Sequence, residues 1–178
     1  MTPRAPLDIK LLQERLGYTF QKPDLLMQAL THRSHSKKNN ERLEFLGDAV
    51  LSLWMTDKLC TLYPDVREGK LSKMRSSLVN EKTLAALARD LKLSEFILVG
   101  KGEWKQRTFD KDSVLANTFE AILGALYRQG GVSSASQFLA QTFKDKDHYF
   151  DLKNLEQFDA KSKLQELCLE KFKQLPRY

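Results

Sequence analysis

Three carboxylates, Glu41, Glu44 and Asp48, stand at i, i+3 and i+7 in the block NERLEFLGDAV at residues 40–50. At about 100° per residue this spacing puts them on one side of an α-helix. An acidic stripe alone is only a solvated helix face, with the main apolar stripe expected opposite it at Leu43, Leu46, Val50 and Leu53. The next two turns argue for more. The acidic stripe runs on into Leu51, Ser52 and Met55, and residues 49–55 (AVLSLWM) are apolar nearly all round, as a buried helix is. Carboxylates clustered where a helix enters the core raise one another's pKa. A divalent cation relieves that repulsion, and hard oxygen ligands are what Mg²⁺ takes, usually with retained waters. Asn117 and Glu120, at i and i+3 on a second helical stretch, supply a possible other half. Gly124 continues their stripe and leaves room for a close neighbour, while Val114, Leu115, Thr118, Ile122, Leu123 and Leu126 form the apolar side. A single helical glutamate says little by itself. Together, carboxylates without a histidine or lysine nucleophile suit metal-assisted attack of water on a phosphodiester better than covalent catalysis.

The elements that must position these groups read as helices almost throughout, without a convincing run of alternating β-branched residues. Residues 7–16 form an amphipathic helix ended by Gly17. Lys22-Pro23-Asp24 opens a second, with proline in its first turn. Asn39 or Asn40 caps the acidic helix, which runs to Tyr63 before Pro64. Residues 68–79 and 80–91 make two more, with Asn80 as the cap between them. Residues 99–110 (VGKGEWKQRTFD) have two glycines and no periodicity and read as a loop. Asp112 or Ser113 caps the helix carrying Asn117 and Glu120, stopped by Gly130-Gly131; residues 133–143 form a further helix. Residues 144–158 are charged and read as a linker. A last helix over 160–173 shows an apolar face at Leu164, Leu167 and Phe172 and needs something to pack on. The chain stops soon after, at Leu175-Pro176-Arg177-Tyr178, so a truncated second domain is expected.

The 178 residues carry 29 Lys+Arg against 23 Asp+Glu, a net charge of +6 that mildly favours a polyanionic partner. No apolar run approaches the roughly 20 residues of a membrane span, so no membrane is expected. The amino terminus lacks a secretory signal. Cys60 and Cys168 match no metal or redox spacing and read as reduced thiols of a cytoplasmic protein.

NERLEFLGDAV resembles the signature block of the ribonuclease III family. Leu30-Thr31-His32-Arg33-Ser34 is similar to the family's LTHRS element, Glu68-Gly69-Lys70-Leu71-Ser72-Lys73-Met74-Arg75 to its EGxLSxxR stretch, and residues 112–121 (DSVLANTFEA) to its second catalytic helix. Four motifs in register over about residues 7–145 make the resemblance specific. It implies an all-α endonuclease domain over residues 1–146, a linker over 147–158 and, over 159–178, the first helix of a double-stranded-RNA-binding domain. It implies an endoribonuclease that cuts double-stranded RNA of the rRNA- and mRNA-precursor kind, leaving 5′-phosphates and short 3′ overhangs. Glu44, Asp48 and Glu120 match the family's metal-binding carboxylates, with Asp48 and Glu120 catalytic and Mg²⁺, or Mn²⁺ in its place, as cofactor. Glu41 and Glu68 match auxiliary acids, and Phe45 the aromatic at the homodimer interface. One departure stands out: the family has Asp where this chain has Asn117. An amide keeps a carbonyl ligand but removes a charge, and hard-cation affinity depends on ligand charge. A module that grips duplex RNA without cutting it is therefore the rival to the enzyme.

Contact with an A-form duplex needs cations placed for phosphates and 2′-hydroxyls. Lys37 and Lys38 before the signature helix, Lys70, Lys73 and Arg75 after it, and Lys101, Lys105 and Arg107 on the loop are the candidates. His32 reads as a satisfied structural histidine, His35 as exposed, Trp54 as core, and Trp104 as packing over the base of its loop.

Overall fold

The computed structural model describes residues 7–151 and 160–174. Among these the backbone is helical apart from connections, and a parallel bridge between Thr31 and Leu98 is the single pairing of extended segments. Helix α1 (Ile9–Leu16) starts where Asp8 accepts the Leu11 N–H at 3.0 Å. It stops at Gly17, whose left-handed φ of 63° lets the Tyr18 N–H turn back to the Gln13 carbonyl. Helix α2 (Pro23–Ala29) opens on its proline. Helix α3 (Glu41–Leu62) carries the acids. Helices α4 (Glu68–Leu78) and α5 (Glu81–Asp90) are divided by Asn80, whose side chain accepts the Thr83 N–H at 2.9 Å.

A five-residue helix, α6 (Lys101–Lys105), and a 3-10 turn (Thr108–Asp110) occupy the stretch read as loop. They are too short to leave a periodic signature. Tertiary contacts hold them instead: Trp104 stacks on Phe109 at 4.4 Å, and the Thr108 hydroxyl donates to the Glu103 carboxylate. Helix α7 (Asp112–Thr142) continues across the expected glycine stop but breaks its geometry at Gly131, with φ 67° and ψ −161°. Neither Asp112 nor Ser113 caps it. The helix begins on Asp112, and that carboxylate takes Arg89 at 2.5 Å. Residues 147–150, read as the start of a linker, form a 3-10 turn whose Phe150 is buried in the core. Helix α8 (Ala160–Phe172) follows, and Leu164, Leu167 and Phe172 of its apolar face are exposed. The rest of the expected linker, at 152–158, and the 175–178 lead-in lie outside the described residues.

Helix α7 is the centre of the packing. Residues 121–126 (AILGAL) are buried all round, with α3 and α5 as the chief neighbours and α2 a lesser one. Leu12, Leu26, Leu51, Leu59, Leu84, Leu87 and Phe119 are sealed from solvent. Each such side chain stabilises the fold by about 1.5–3 kcal/mol relative to exposure. The buried side of α3 is Leu43, Gly47, Leu51, Met55 and Leu59, every fourth residue. The expected stripe is corrected here: Leu43 is buried, Leu46 and Val50 are half-buried, and Leu53 is 65% exposed. The near-uniform apolarity of residues 49–55 hid which side faces α7, and a glycine in the contact stripe carries no hydrophobic signal.

That glycine sets the crossing. A methyl group on Gly47 would land on the Glu120 carbonyl oxygen and lie 3.0 Å from the Gly124 nitrogen. One on Gly124 would land on the Leu43 carbonyl oxygen and lie 3.1 Å from the Gly47 nitrogen. The two helices meet backbone to backbone and run antiparallel, Leu43 abreast of Gly124 and Gly47 abreast of Glu120. Gly47→Ala is expected to destabilise by roughly 1–3 kcal/mol or more, because the clash is with backbone that cannot rotate away. Gly69, on α4, has open space around it. Gly69→Ala is the control and should stabilise by up to about 1 kcal/mol through helix propensity. Urea denaturation checks both, and an unchanged midpoint for Gly47→Ala would refute the contact.

Candidate active site

The α3–α7 crossing puts Glu120 against Glu44 and Asp48. Burial pushes the Glu120 carboxyl up to about 8, and the charges of Asp48 and then Glu44 push in the same direction. Burial also raises Glu44, with Glu41 and Asp48 adding to it and Arg33 opposing. Asp48 is exposed, while Glu44, Asn117 and Glu120 are partly buried. Asn117 precedes Glu120 by one turn on α7. The acids predicted from two separate stretches thus share one electrostatic environment at the rim of the core. Among the described residues, no group of three or more His, Cys, Asp or Glu side chains is placed to hold a metal ion. In chemistry the donors, carboxylates with an amide one turn away, are of the kind a hard divalent cation takes. Burial, more than the neighbouring charges, holds the Glu120 carboxyl above its ordinary range.

Glu41 is held from two sides. The Asn39 amide donates to its Oε2 at 3.1 Å, and the Arg33 guanidinium stands 3.7 Å from its Oε1. Asn40 is the N-cap residue of α3 but makes no side-chain cap bond; it is buried, with its N–H on the Thr31 carbonyl. The Asn39 amide oxygen just before it accepts the Glu41 N–H at 3.0 Å. Arg33 carried no role in the sequence reading, and Asn39 carried one only as a possible cap. Arg33 lies inside the LTHRS element, but nothing in its spacing points at Glu41; the two meet only through the fold.

Glu68 stands apart from the cluster within one chain. It lines a hollow with Thr56, Leu59, Cys60, Leu71, Ser72 and Arg75, and accepts the Ser72 hydroxyl at 2.9 Å. Thr56 is eight residues beyond Asp48 on α3, about 12 Å along the axis. Phe45 projects beside the acids and is 81% exposed. Among the candidate RNA contacts, Lys37, Lys38, Lys70, Lys73, Lys101 and Lys105 are exposed. Arg75 turns inward and donates to the Thr56 hydroxyl at 3.0 Å. Arg107 lies over the Phe109 ring and 3.5 Å from Asp110. The His32 ring is within 2.8 Å of the Ser34 hydroxyl, and burial and then Arg33 lower its pKa, which fits a structural role. His35 is exposed, and its ring lies 3.3 Å from the Val99 carbonyl. Trp54 is half-buried and stacks on Phe143.

A family profile described as "Ribonuclease-III-like" matches residues 22–146. A protein named Ribonuclease 3 from Blochmanniella pennsylvanica is 41% identical over 172 residues, 96% of this chain and 75% of that one. Another of that name from Hahella chejuensis is 41% identical over 170 residues, again 96% and 75%. Among solved structures, the nuclease domain of ribonuclease III from Campylobacter jejuni superposes with a TM-score of 0.76 at 41% identity, covering 78% of this chain and 97% of its own. That structure is described for flexibility in the region involved in dimer formation. Dicer from Pichia stipitis gives a TM-score of 0.56 at 29% identity, over 99% of this chain and 76% of that one. The all-α fold, the four motifs in register and these matches have one reading: the chain belongs to the ribonuclease III family.

Proposed function

We propose that this protein is a divalent-metal-dependent endoribonuclease that hydrolyses the phosphodiesters of double-stranded RNA, acting on rRNA and mRNA precursors in the cytoplasm. The observation that carries the reading is the placement of Glu120 against Glu44 and Asp48 by the glycine crossing. Glu44, Asp48 and Glu120 offer anionic oxygens, and Asn117 a neutral one, to Mg²⁺ or to Mn²⁺ in its place. When bound there, the ion supplies an activated water and neutralises charge on the phosphate under attack. The chain's own part is to hold these oxygens on two rigid helices and to keep one side of the site against the core. Glu41 and Glu68 orient waters or groups of the partner chain. Lys37, Lys38, Lys70, Lys73, Lys101, Lys105 and the exposed Arg107 meet phosphates in this reading. Arg75, turned inward to Thr56, contributes less to such contacts.

The dimer reading rests on a stripe next to the acids. Phe45, Ala49 and Leu53 follow one another at i, i+4 and i+8, and all three are exposed, Phe45 by 81% and Leu53 by 65%. Large apolar side chains lined up in water mark a partner surface. A second copy of the chain, related by a two-fold axis, would cover the stripe and bring two acidic sites together. Phe45→Asp is expected to shift the protein to monomer in light scattering at micromolar concentration; a persistent dimer would refute this interface.

Cleavage of a long RNA duplex with Mg²⁺ tests the activity. Glu120→Gln should lower the rate by on the order of a hundredfold or more, as losing a group that stabilises transition-state charge does. Asn117→Asp should raise the rate at limiting Mg²⁺, because it returns a charge to the ligand set. Equal rates for Glu120→Gln and the parent would remove Glu120 from the site.

The raised Glu120 carboxyl also makes stability depend on pH. Its folded-state pKa of about 8 lies above the ordinary 4.5, so the native state binds the proton more tightly. Its stabilising contribution is complete below the ordinary value and is lost as pH rises towards 8. In EDTA, the urea midpoint of the parent should fall between pH 5 and pH 8.5, and that of Glu120→Gln should fall less. His32, lowered from 6.5, acts in the opposite sense at the acidic end and is common to both proteins. Parallel pH profiles would show that Glu120 is not the group responsible.

A further inference from the structure

Arg33 stands out as the cation beside an otherwise acidic face. Its guanidinium is 3.7 Å from Glu41 Oε1 and its side chain is 72% exposed. Its charge opposes the upward shift of the Glu44 carboxyl. Its backbone, by contrast, is pinned. The Thr31 carbonyl takes the Asn40 N–H at 2.9 Å, His32 N–H donates to the Leu98 carbonyl at 2.9 Å, and Gly100 N–H donates to the Ser34 hydroxyl at 2.9 Å. A methyl group on Gly100 would meet the Ser34 carbonyl at 2.5 Å, so this segment and residues 98–100 are in close contact. The Thr31–Leu98 bridge thus fixes the root of Arg33 beside the acidic cluster, while its side chain stays exposed.

From this geometry we infer that Arg33 is a resident counter-cation beside the acidic site, holding Glu41 one helical turn from Glu44 and opposing by its charge the arrival of a divalent ion at the neighbouring carboxylates. Arg33 acts here as a positioning residue, and the inference rests on the metal reading given above. A full positive charge a few ångströms from a divalent ion repels it, yet near the surface the effect is moderate and screened by salt. The pairing of Glu41 Oε2 with the Asn39 amide leaves that carboxylate oriented when Arg33 withdraws. Removing the charge should therefore tighten ion binding rather than scatter the ligands.

The test is Mn²⁺ binding to the full chain, followed by calorimetry and by the electron paramagnetic resonance signal of free Mn²⁺. Arg33→Gln should bind Mn²⁺ about three- to tenfold more tightly at low ionic strength, a difference that shrinks in 0.5 M KCl as screening sets in. Arg33→Lys keeps the charge and should match the parent within about twofold, since only the charge is claimed to matter. Lys37→Gln, in the same connection but not paired with Glu41, controls for net charge. In EDTA, Arg33→Gln should melt below the parent, because the acids then repel without a counter-ion. Equal or weaker Mn²⁺ binding by Arg33→Gln, or an equal gain from Lys37→Gln, overturns the inference. Asp48→Asn separates the two readings. Parent binding that Asp48→Asn abolishes but Arg33→Gln leaves unchanged sinks the Arg33 role alone. Absence of Asp48-dependent binding in the parent sinks the metal reading and the inference with it.

Discussion

The backbone contact between α3 and α7 at Gly47 and Gly124 is the constraint on which the rest depends. Helices packed through ordinary side chains stand 8–10 Å apart. With bare glycines at the crossing, the carbonyls of Leu43 and Glu120 lie where side chains would otherwise be. Two consequences follow together. Helix α7 is drawn deep enough for residues 121–126 to be buried all round, which makes it the core of the domain. Glu120, on the last turn before that buried run, is carried to the boundary where α3 presents Glu44 and Asp48. Core and site are therefore one piece of geometry, and a change that spreads the crossing loosens both.

The same crossing sets the electrostatics. A carboxylate brought to a half-buried position beside two others has three ways to settle: take a proton, take a cation or move away. Rigid helices forbid the third. The upward shift of Glu120 shows the first at work, with desolvation outweighing the neighbouring charges. Arg33 offers part of the second from the side of Glu41 and Glu44.

Much of this was visible in the residues alone, and the failures have physical causes. Periodicity located the helices because most are long and carry several turns of apolar stripe. The spacing of Glu41, Glu44 and Asp48 gave their common side, because helix geometry is local. What local geometry does not contain is which side of an all-apolar stretch meets which neighbour, and so Leu53 was placed inward when it faces solvent. Helix α6 escaped notice since five residues held by Trp104, Phe109 and Glu103 have no period to detect. The pairing of Arg33 with Glu41 joins two segments through the fold, and the inward turn of Arg75 to Thr56 spans 19 residues. No single-residue pattern encodes either. Of the two asparagines weighed as caps, Asn40 holds the N-cap position without a side-chain bond, and the Asn39 amide oxygen takes the Glu41 N–H.

The 3-10 turn at Asp147–Phe150 also has a mechanical meaning. The Tyr63 hydroxyl holds the Phe150 carbonyl, and the Lys58 ammonium lies 5.1 Å from the centre of the Phe150 ring. Lys58 and Tyr63 stand 14 and 19 residues past Glu44, roughly 21–28 Å along the chain of α3 and its cap at 1.5 Å per residue. The turn is thus a moored hawser post at the end of α3 remote from the acids. The chain up to residue 151 is therefore tied to the carboxyl end of α3, one whole helix away from the carboxylates at its start.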